Sequence, residues 1–361
     1  MGEAKSGSIY DSLRKKGVSR RDFMKFCSLM AATLALPVGG AARIAEALEK
    51  KQKPTLVWLE FQDCCGNTES FLRANDPTVA QIVLDILSVD YHETIMAPAG
   101  KQAEKSLSDV VKNQKGKYLV VVEGAIPLKD GGVYCTIGGR TAHDIAKEVC
   151  GNAMATIAIG ACAWDGGIPA AAPNPTGAVG VKDAVKGITL INLPGCPANV
   201  VNLTGTVVHF LTFGSLPLTD SMGRPLFAYG RRIHDACERR AHYDAGRFVQ
   251  AWGDDGHKKG WCLYQMGCKG PETFKNCPAQ KWNQGTSWPV QAGHGCIGCA
   301  APHFWDTMTP FYKRLENVPG FGVEANVDKF GAGLAAATAA GLVVHRILRA
   351  SKKEKSSEEE K

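Results

Sequence analysis

Ten residues carry most of the chemistry open to this chain. Cys64, Cys162 and Cys196 stand singly, while His234, Cys237, Cys262, Cys268, Cys277, Cys296 and Cys299 crowd into 66 residues. Spacings such as His234-x-x-Cys237 and Cys296-x-x-Cys299, set among Gly and Pro, are those of metal ligands. Thiolates with an occasional imidazole suit iron–sulfur clusters. Ten such ligands point to three clusters, and a row of clusters is a wire for electrons. The expectation is charge transfer rather than remodelling of an organic substrate.

The C-terminal ligands divide into two sets. His234 and Cys237, three apart, share a face if their segment is helical. With Cys262 and Cys268 they would hold a four-iron cluster. A neutral imidazole leaves such a cluster with one negative charge fewer and raises its potential. Cys277, Cys296 and Cys299 supply three thiolates, which fits a three-iron cluster. A Cys3His zinc site using His294 is the rival. Thirteen cysteines in 361 residues are too dilute for a small disulfide scaffold. Disulfides within the C-terminal set are the alternative for an exported protein.

The elements around these ligands are those of an α/β domain. Thr55–Phe61, Tyr118–Glu123, Thr156–Gly160 and Ile188–Leu193 are short Val/Ile/Leu-rich runs between turn signals, as buried parallel strands are. Helical stretches alternate with them, one beginning near Thr68 with Asn67 or Thr68 as its cap. The pattern is a doubly wound parallel sheet. Cys64 follows the first of these runs, Cys162 the third and Cys196 the fourth. Open α/β sheets bind ligands at the carboxyl ends of their strands, so the three thiols should converge on one site. Cys135 and Cys150 do not share that position and read as packing residues. After Tyr229 the strand pattern gives way to polar, aromatic and Gly-rich sequence. This predicts a doubly wound α/β domain over 48–229, and a smaller, irregular, helix-containing iron–sulfur domain over 230–320.

Both ends of the chain read as addresses. Ser19-Arg20-Arg21-Asp22-Phe23-Met24-Lys25 precedes an apolar run from Phe26 to Val38, too short to span a bilayer and typical of a signal segment. Adjacent arginines before such a run are the twin-arginine signature, the route for proteins exported already folded. A signal peptide over 1–47, cleaved near Ala45-Glu46-Ala47, is expected, with Cys27 inside it. An N-terminal amphipathic helix is the alternative. At the other end, Phe330–Val344 is uncharged and followed by His345, Arg346 and Arg349. As a helix it spans about 22 Å, short of a roughly 30 Å hydrocarbon core, unless Lys329 and Arg346 snorkel. Within the tail 321–361, a membrane anchor over 329–349 is expected, with a soluble amphipathic helix as the alternative. The net charge of +7 owes much to the first 47 residues; the remainder holds 34 basic and 31 acidic residues. No basic clustering indicates nucleic acid.

These residues together resemble the small subunit of nickel–iron uptake hydrogenases. The resemblance rests on Thr68-Glu69-Ser70, Glu123-Gly124-Ala125-Ile126-Pro127, Ile159-Gly160-Ala161-Cys162, Pro173-Asn174-Pro175-Thr176-Gly177, Leu193-Pro194-Gly195-Cys196-Pro197, Gly260-Trp261-Cys262, Cys268-Lys269-Gly270-Pro271 and Gly293-His294-Gly295-Cys296-Ile297-Gly298-Cys299. It runs from the arginine pair to about residue 320. It implies a flavodoxin-like fold without flavin, two [4Fe–4S] clusters and one [3Fe–4S] cluster. Cys64, Cys162 and Cys196 would hold the proximal four-iron cluster. Cys277, Cys296 and Cys299 would hold the medial three-iron cluster, with Pro289 where a fourth ligand might otherwise stand. His234, Cys237, Cys262 and Cys268 would hold the distal four-iron cluster. The Ni–Fe centre would belong to a large-subunit partner. Electrons from hydrogen would pass to a membrane cytochrome b or an iron–sulfur acceptor, on the periplasmic side of the cytoplasmic membrane.

One stretch departs from the resemblance. The family pattern is Cys-x-x-Cys before Thr-Glu-Ser, whereas this chain reads Cys64-Cys65-Gly66-Asn67. Cys65, Asn67, water or a cluster of altered composition are the options for the fourth proximal position. A hydrogen-sensing complex and a structural zinc protein are the other functional readings; an export signal speaks against the first and a brown thiolate–iron colour would exclude the second.

Overall fold

Thr55–Glu60 (β1) and Tyr118–Glu123 (β3) are runs of buried residues, which only a sheet covered on both faces accommodates. Ser88–His92 (β2), Ala155–Ile159 (β4) and Leu190–Leu193 (β5) complete a five-stranded sheet in the order β2-β1-β3-β4-β5. Every pairing is parallel. This is the flavodoxin-like order, and all strands end on one edge. The structure, a computed structural model, describes residues 8–75, 77–315, 333–347 and 349. Four strands lie where the sequence places them to within two residues at either end. β2 escapes that reading because Ser88-Val89-Asp90-Tyr91-His92 is a half-exposed edge strand without an apolar run.

Two apolar layers cover the sheet. One contains Trp58, Phe71, Val121, Ile157, Leu193 and the inner face of helix Val200–Phe213. The other contains Val57, Val120, Val122, Ile145, Val149 and the buried Cys150, with Cys135 packed on it. A third apolar cluster, around Ile233, Val249, Leu263, Trp288 and Val290, includes Cys277 and Cys296 and belongs to the C-terminal ligand region.

Residues 9–50 form three helices, Ile9–Lys15, Arg20–Thr33 and Gly40–Lys50. Phe23, Phe26, Cys27 and Met30 recur at helical spacing and pack into the cluster that holds Leu203, Val207 and Leu211. The expected signal segment is thus an amphipathic helix seated on the body. Residues to Arg314 form one compact unit and Leu315–Lys361 a second. In the second, 333–347 is helical and exposed throughout. Among the described residues no helix is long and apolar enough to cross a membrane. Of the expected anchor over 329–349, residues 329–332 and 348 lie outside the described residues.

Candidate metal centres

The carboxyl ends of β1, β4 and β5 carry Cys64, Cys162 and Cys196 to one edge. Helix Gly66–Leu72 follows Cys64 after one residue, Cys65, and begins two residues before the expected Thr68. Its N-terminus has no side-chain cap of its own. Glu123, at the end of β3, does that work: Oε1 accepts the Asn67 amide at 2.8 Å and Oε2 accepts the Thr68 amide at 3.0 Å. The Trp58 indole donates to the same carboxyl at 3.3 Å. Ala161 N donates to Gly195 O at 2.8 Å, which joins the Cys162 and Cys196 loops. Ser70 Oγ to Ala198 O at 2.7 Å and Tyr229 Oη to Pro194 O at 2.8 Å fix the Cys196 loop from both sides. Burial pushes the Cys162 thiol up to about 12, and the Cys196 and Cys64 thiols add to the shift. A Cβ on Gly66 would lie 3.1 Å from Cys64 Sγ and 3.8 Å from Pro197 Cβ, which sets Cys64 beside the Cys196 loop.

Asn67 and Cys65 are held by other partners. Asn67 is buried; its Nδ2 donates to Glu123 at 3.1 Å and its Oδ1 accepts the Ala198 amide at 2.8 Å. Cys65 sits at φ +55° and groups with the Glu60 and Asp63 carboxylates within 4.8 Å. Burial, then the Asp63 and Glu60 charges, push its thiol up to about 11. That acidic group was not legible in the sequence, because Glu60 ends a strand otherwise made of apolar core residues.

The C-terminal ligands come together as two sets. His234–Ala236 is one 3-10 turn, closed by Cys237. Residues three apart eclipse in that geometry, so His234 and Cys237 share a face as expected. With Cys262 and Cys268 they line one cavity, beside Arg239 and Tyr264. Burial, helped by Arg240, holds His234 down at about 4, so its imidazole is neutral, the form that ligates metals. Tyr243 packs edge-on against it at 4.6 Å. Backbone amides already donate to the sulfurs: Arg239 N to Cys237 Sγ at 3.4 Å and Gly298 N to Cys296 Sγ at 3.4 Å.

Cys277, Cys296 and Cys299 line a second hollow with Pro289, Trp288 and Cys196. Lys275 is buried among them, with Nζ 3.8 Å from Cys299 Sγ and 3.4 Å from Pro197 O. Its ring neighbour is Trp282, 5.8 Å away. Burial works against the ammonium, but Cys299 and Cys277 more than offset it and hold the pKa above its ordinary value. Lys275 is the functional residue that sequence reasoning missed.

The donor sets fit clusters better than single ions. All thirteen cysteines are free thiols, so the disulfide alternative is absent. Thiols on one zinc stand about 3.8 Å apart. Among the described residues, the only His/Cys/Asp/Glu group gathered within 4.8 Å is Glu60, Asp63 and Cys65. The ten predicted ligands are spread too widely for a mononuclear site and leave room for a polynuclear one. His294, the fourth ligand of the zinc alternative, has Nδ1 2.8 Å from Gly295 O and Nε2 3.4 Å from Tyr312 Oη.

Comparison with known proteins bears on the same residues. Residues 229–312 match the family described as NiFe/NiFeSe hydrogenase small subunit, C-terminal, and residues 64–210 match NADH ubiquinone oxidoreductase, 20 Kd subunit. The quinone-reactive Ni/Fe-hydrogenase small chain of Wolinella succinogenes is 46% identical over 353 residues, covering 96% of this chain and 99% of that one. The uptake hydrogenase small subunit of Azotobacter vinelandii is 44% identical, covering 96% of each. The crystal structure of a reduced, active Ni-Fe-Se hydrogenase from Desulfomicrobium baculatum superposes with a TM-score of 0.69 at 33% identity, over 73% of this chain and 100% of that one.

Proposed function

The chain belongs to the small subunits of nickel–iron hydrogenases, and from that membership we propose which of its residues hold the electron relay and where the subunit works. As such a subunit it transfers electrons within a hydrogenase, carries iron–sulfur clusters and pairs with a large subunit.

Cys64, Cys162 and Cys196 hold a proximal four-iron cluster. Cys277, Cys296 and Cys299 hold a medial three-iron cluster. His234, Cys237, Cys262 and Cys268 hold a distal four-iron cluster. When bound, these clusters supply one-electron relay away from the hydrogen-splitting nickel–iron centre of the large subunit. The residues of this chain fix the order. The single observation that carries the reading is that the three sets are bonded in series. Pro197, next to Cys196, and Cys299 both contact Lys275 Nζ, while Cys296 N donates to Cys268 Sγ at 3.3 Å. Burial makes the Cys162, Cys262 and Cys277 thiols reluctant to ionise, so these three give up their protons on metal binding.

The subunit acts on the periplasmic side of the cytoplasmic membrane after twin-arginine export. Arg20 and Arg21 are both exposed on a helix whose apolar face is buried, which supports recognition of a folded protein. The flavodoxin-like and iron–sulfur portions divide near residue 229, as the separate apolar cluster of the latter supports. A membrane cytochrome b or another iron–sulfur protein takes the electrons, a reading supported by the quinone-reactive name of the Wolinella relative. Metal analysis with electron paramagnetic resonance (EPR) on the purified two-subunit hydrogenase tests the assignment. Iron and sulfide for three clusters, lost set by set on cysteine substitution, are expected; zinc without iron signals would overturn it.

A further inference from the structure

We propose that the proximal cluster has only three protein ligands and that its fourth iron carries an exchangeable small ligand such as water, hydroxide or an added thiol. This rests on the assignment of Cys64, Cys162 and Cys196 to that cluster, and it decides between the candidates for the missing position.

Asn67 stands in the motif where a fourth cysteine belongs, but its amide is committed. The oxygen is the atom that would coordinate iron, and it accepts the Ala198 amide at 2.8 Å. The nitrogen donates to Glu123 Oε1 at 3.1 Å, the oxygen that also takes the Asn67 backbone amide at 2.8 Å. The orientation of the amide is not arbitrary: an N–H on one side demands its oxygen and a carboxyl on the other demands its nitrogen. Turning the oxygen to iron would strip the amide of buried Ala198 of its partner. There is little room to swing, since a Cβ on Gly160 would lie 2.4 Å from Asn67 Nδ2. An amide oxygen is in any case a hard donor beside soft thiolates.

Cys65 has the right sulfur in the wrong place. It occupies the left-handed region at φ +55° and ψ 17°, which a non-glycine residue adopts only when its surroundings hold it there. Its amide donates to Asp63 Oδ1 at 3.4 Å, and its Sγ is 3.8 Å from the same oxygen. Its sulfur gathers with the Glu60 and Asp63 carboxylate oxygens, all within 4.8 Å of one another. Bringing Cys65 to the cluster would require rebuilding the turn that starts helix Gly66–Leu72, and with it the Glu123 contacts at Asn67 and Thr68.

A four-iron cluster on three thiolates loses its unique iron readily on oxidation. Ferricyanide takes one electron from [4Fe–4S]2+, one ferrous ion departs, and [3Fe–4S]+ remains. The experiment is EPR with iron analysis on the purified two-subunit hydrogenase, before and after mild ferricyanide treatment. The expected result is that the three-iron signal rises from about one to about two spins per heterodimer and that added ferrous iron with dithionite reverses the rise. Asn67→Cys supplies the fourth thiolate and should abolish the rise, whereas Cys65→Ala should leave it as in the parent. No rise in the parent, or a rise appearing only in Cys65→Ala or Asn67→Ala, would overturn the proposal. Cys162→Ser tells the two readings apart. If it leaves iron content and every signal unchanged, the assignment of the proximal cluster itself is wrong.

Discussion

The backbone amide of Cys296 donates to the sulfur of Cys268 at 3.3 Å, and the amide of the next residue, Lys269, returns a bond to Cys296 O at 2.7 Å. One cysteine belongs to the proposed medial set and the other to the proposed distal set, so the two candidate cradles are closed by a reciprocal pair. N–H donors to a cluster sulfur raise its potential, and a bond of this kind also fixes the separation of two relay sites.

Gly295 makes that closure sterically feasible. A Cβ there would lie 3.0 Å from Cys268 Cα and 3.2 Å from its Cβ. We predict that Gly295→Ala forces the two loops apart at a cost of about 1–3 kcal/mol. The EPR signals of the medial and distal clusters should then broaden or shift together while the proximal signal stays. A change confined to one cluster would show that the two cradles are not mechanically joined.

Lys275 is buried between the proposed proximal and medial sets, and among the described residues no carboxylate oxygen lies within 4.0 Å of its Nζ. Its charge therefore acts on the clusters. A unit charge a few ångström away at an effective dielectric near 20 is worth about 3 kcal/mol, on the order of 100 mV for one electron. We predict that Lys275→Met lowers the medial potential by tens of millivolts or more, because the reduced, more negative cluster loses its counter-charge. Lys275→Arg should retain most of the potential. EPR-monitored redox titration reads this directly, and equal potentials in Lys275→Met and the parent would remove Lys275 from the relay.

His234 is the imidazole proposed for the distal set. A thiolate in place of its neutral imidazole adds one negative charge, so His234→Cys should lower the distal potential by on the order of 100 mV while preserving four ligands. Electron exit to the native acceptor should slow more than medial reduction by hydrogen. A distal potential that does not move would mean that His234 is not a ligand.

The proposed ligands rest on local signals. Cys64, Cys162 and Cys196 end short apolar runs, and a buried parallel strand is one of the plainer patterns in a sequence. His234 and Cys237 lie one turn apart. What was not legible depends on partners far along the chain. Glu123 anchors Asn67 from 56 residues away, and Lys275 reaches Pro197 across 78. Neither residue is unusual in its own neighbourhood; only the folded contact gives it a task. β2 was missed for a local reason, since an edge strand with Ser88 and Asp90 lacks the apolar run of its neighbours. Asn67 is the instructive case: its position in the motif suggested a ligand, and its hydrogen bonds assign it to the scaffold.

Export is the prediction in which sequence and fold meet most directly. Helix Arg20–Thr33 starts at Ser19, whose hydroxyl accepts the Asp22 amide at 3.2 Å, and buries Phe23, Phe26 and Met30 on its inner face. Arg20 and Arg21 are exposed, and Glu49 lies 3.9 Å from Arg20. Their replacement by lysine keeps the charge, the helix propensity and the buried face, so cluster content should not change. What lysine cannot reproduce is the planar, forked guanidinium. We predict that Arg20→Lys with Arg21→Lys leaves an iron-loaded protein that accumulates inside the cell, with its periplasmic fraction down at least tenfold on immunoblots of separated compartments. An undiminished periplasmic fraction would mean that the arginine pair is not an export signal, and that the three N-terminal helices belong to the working subunit, as their packing against Leu203, Val207 and Leu211 already allows.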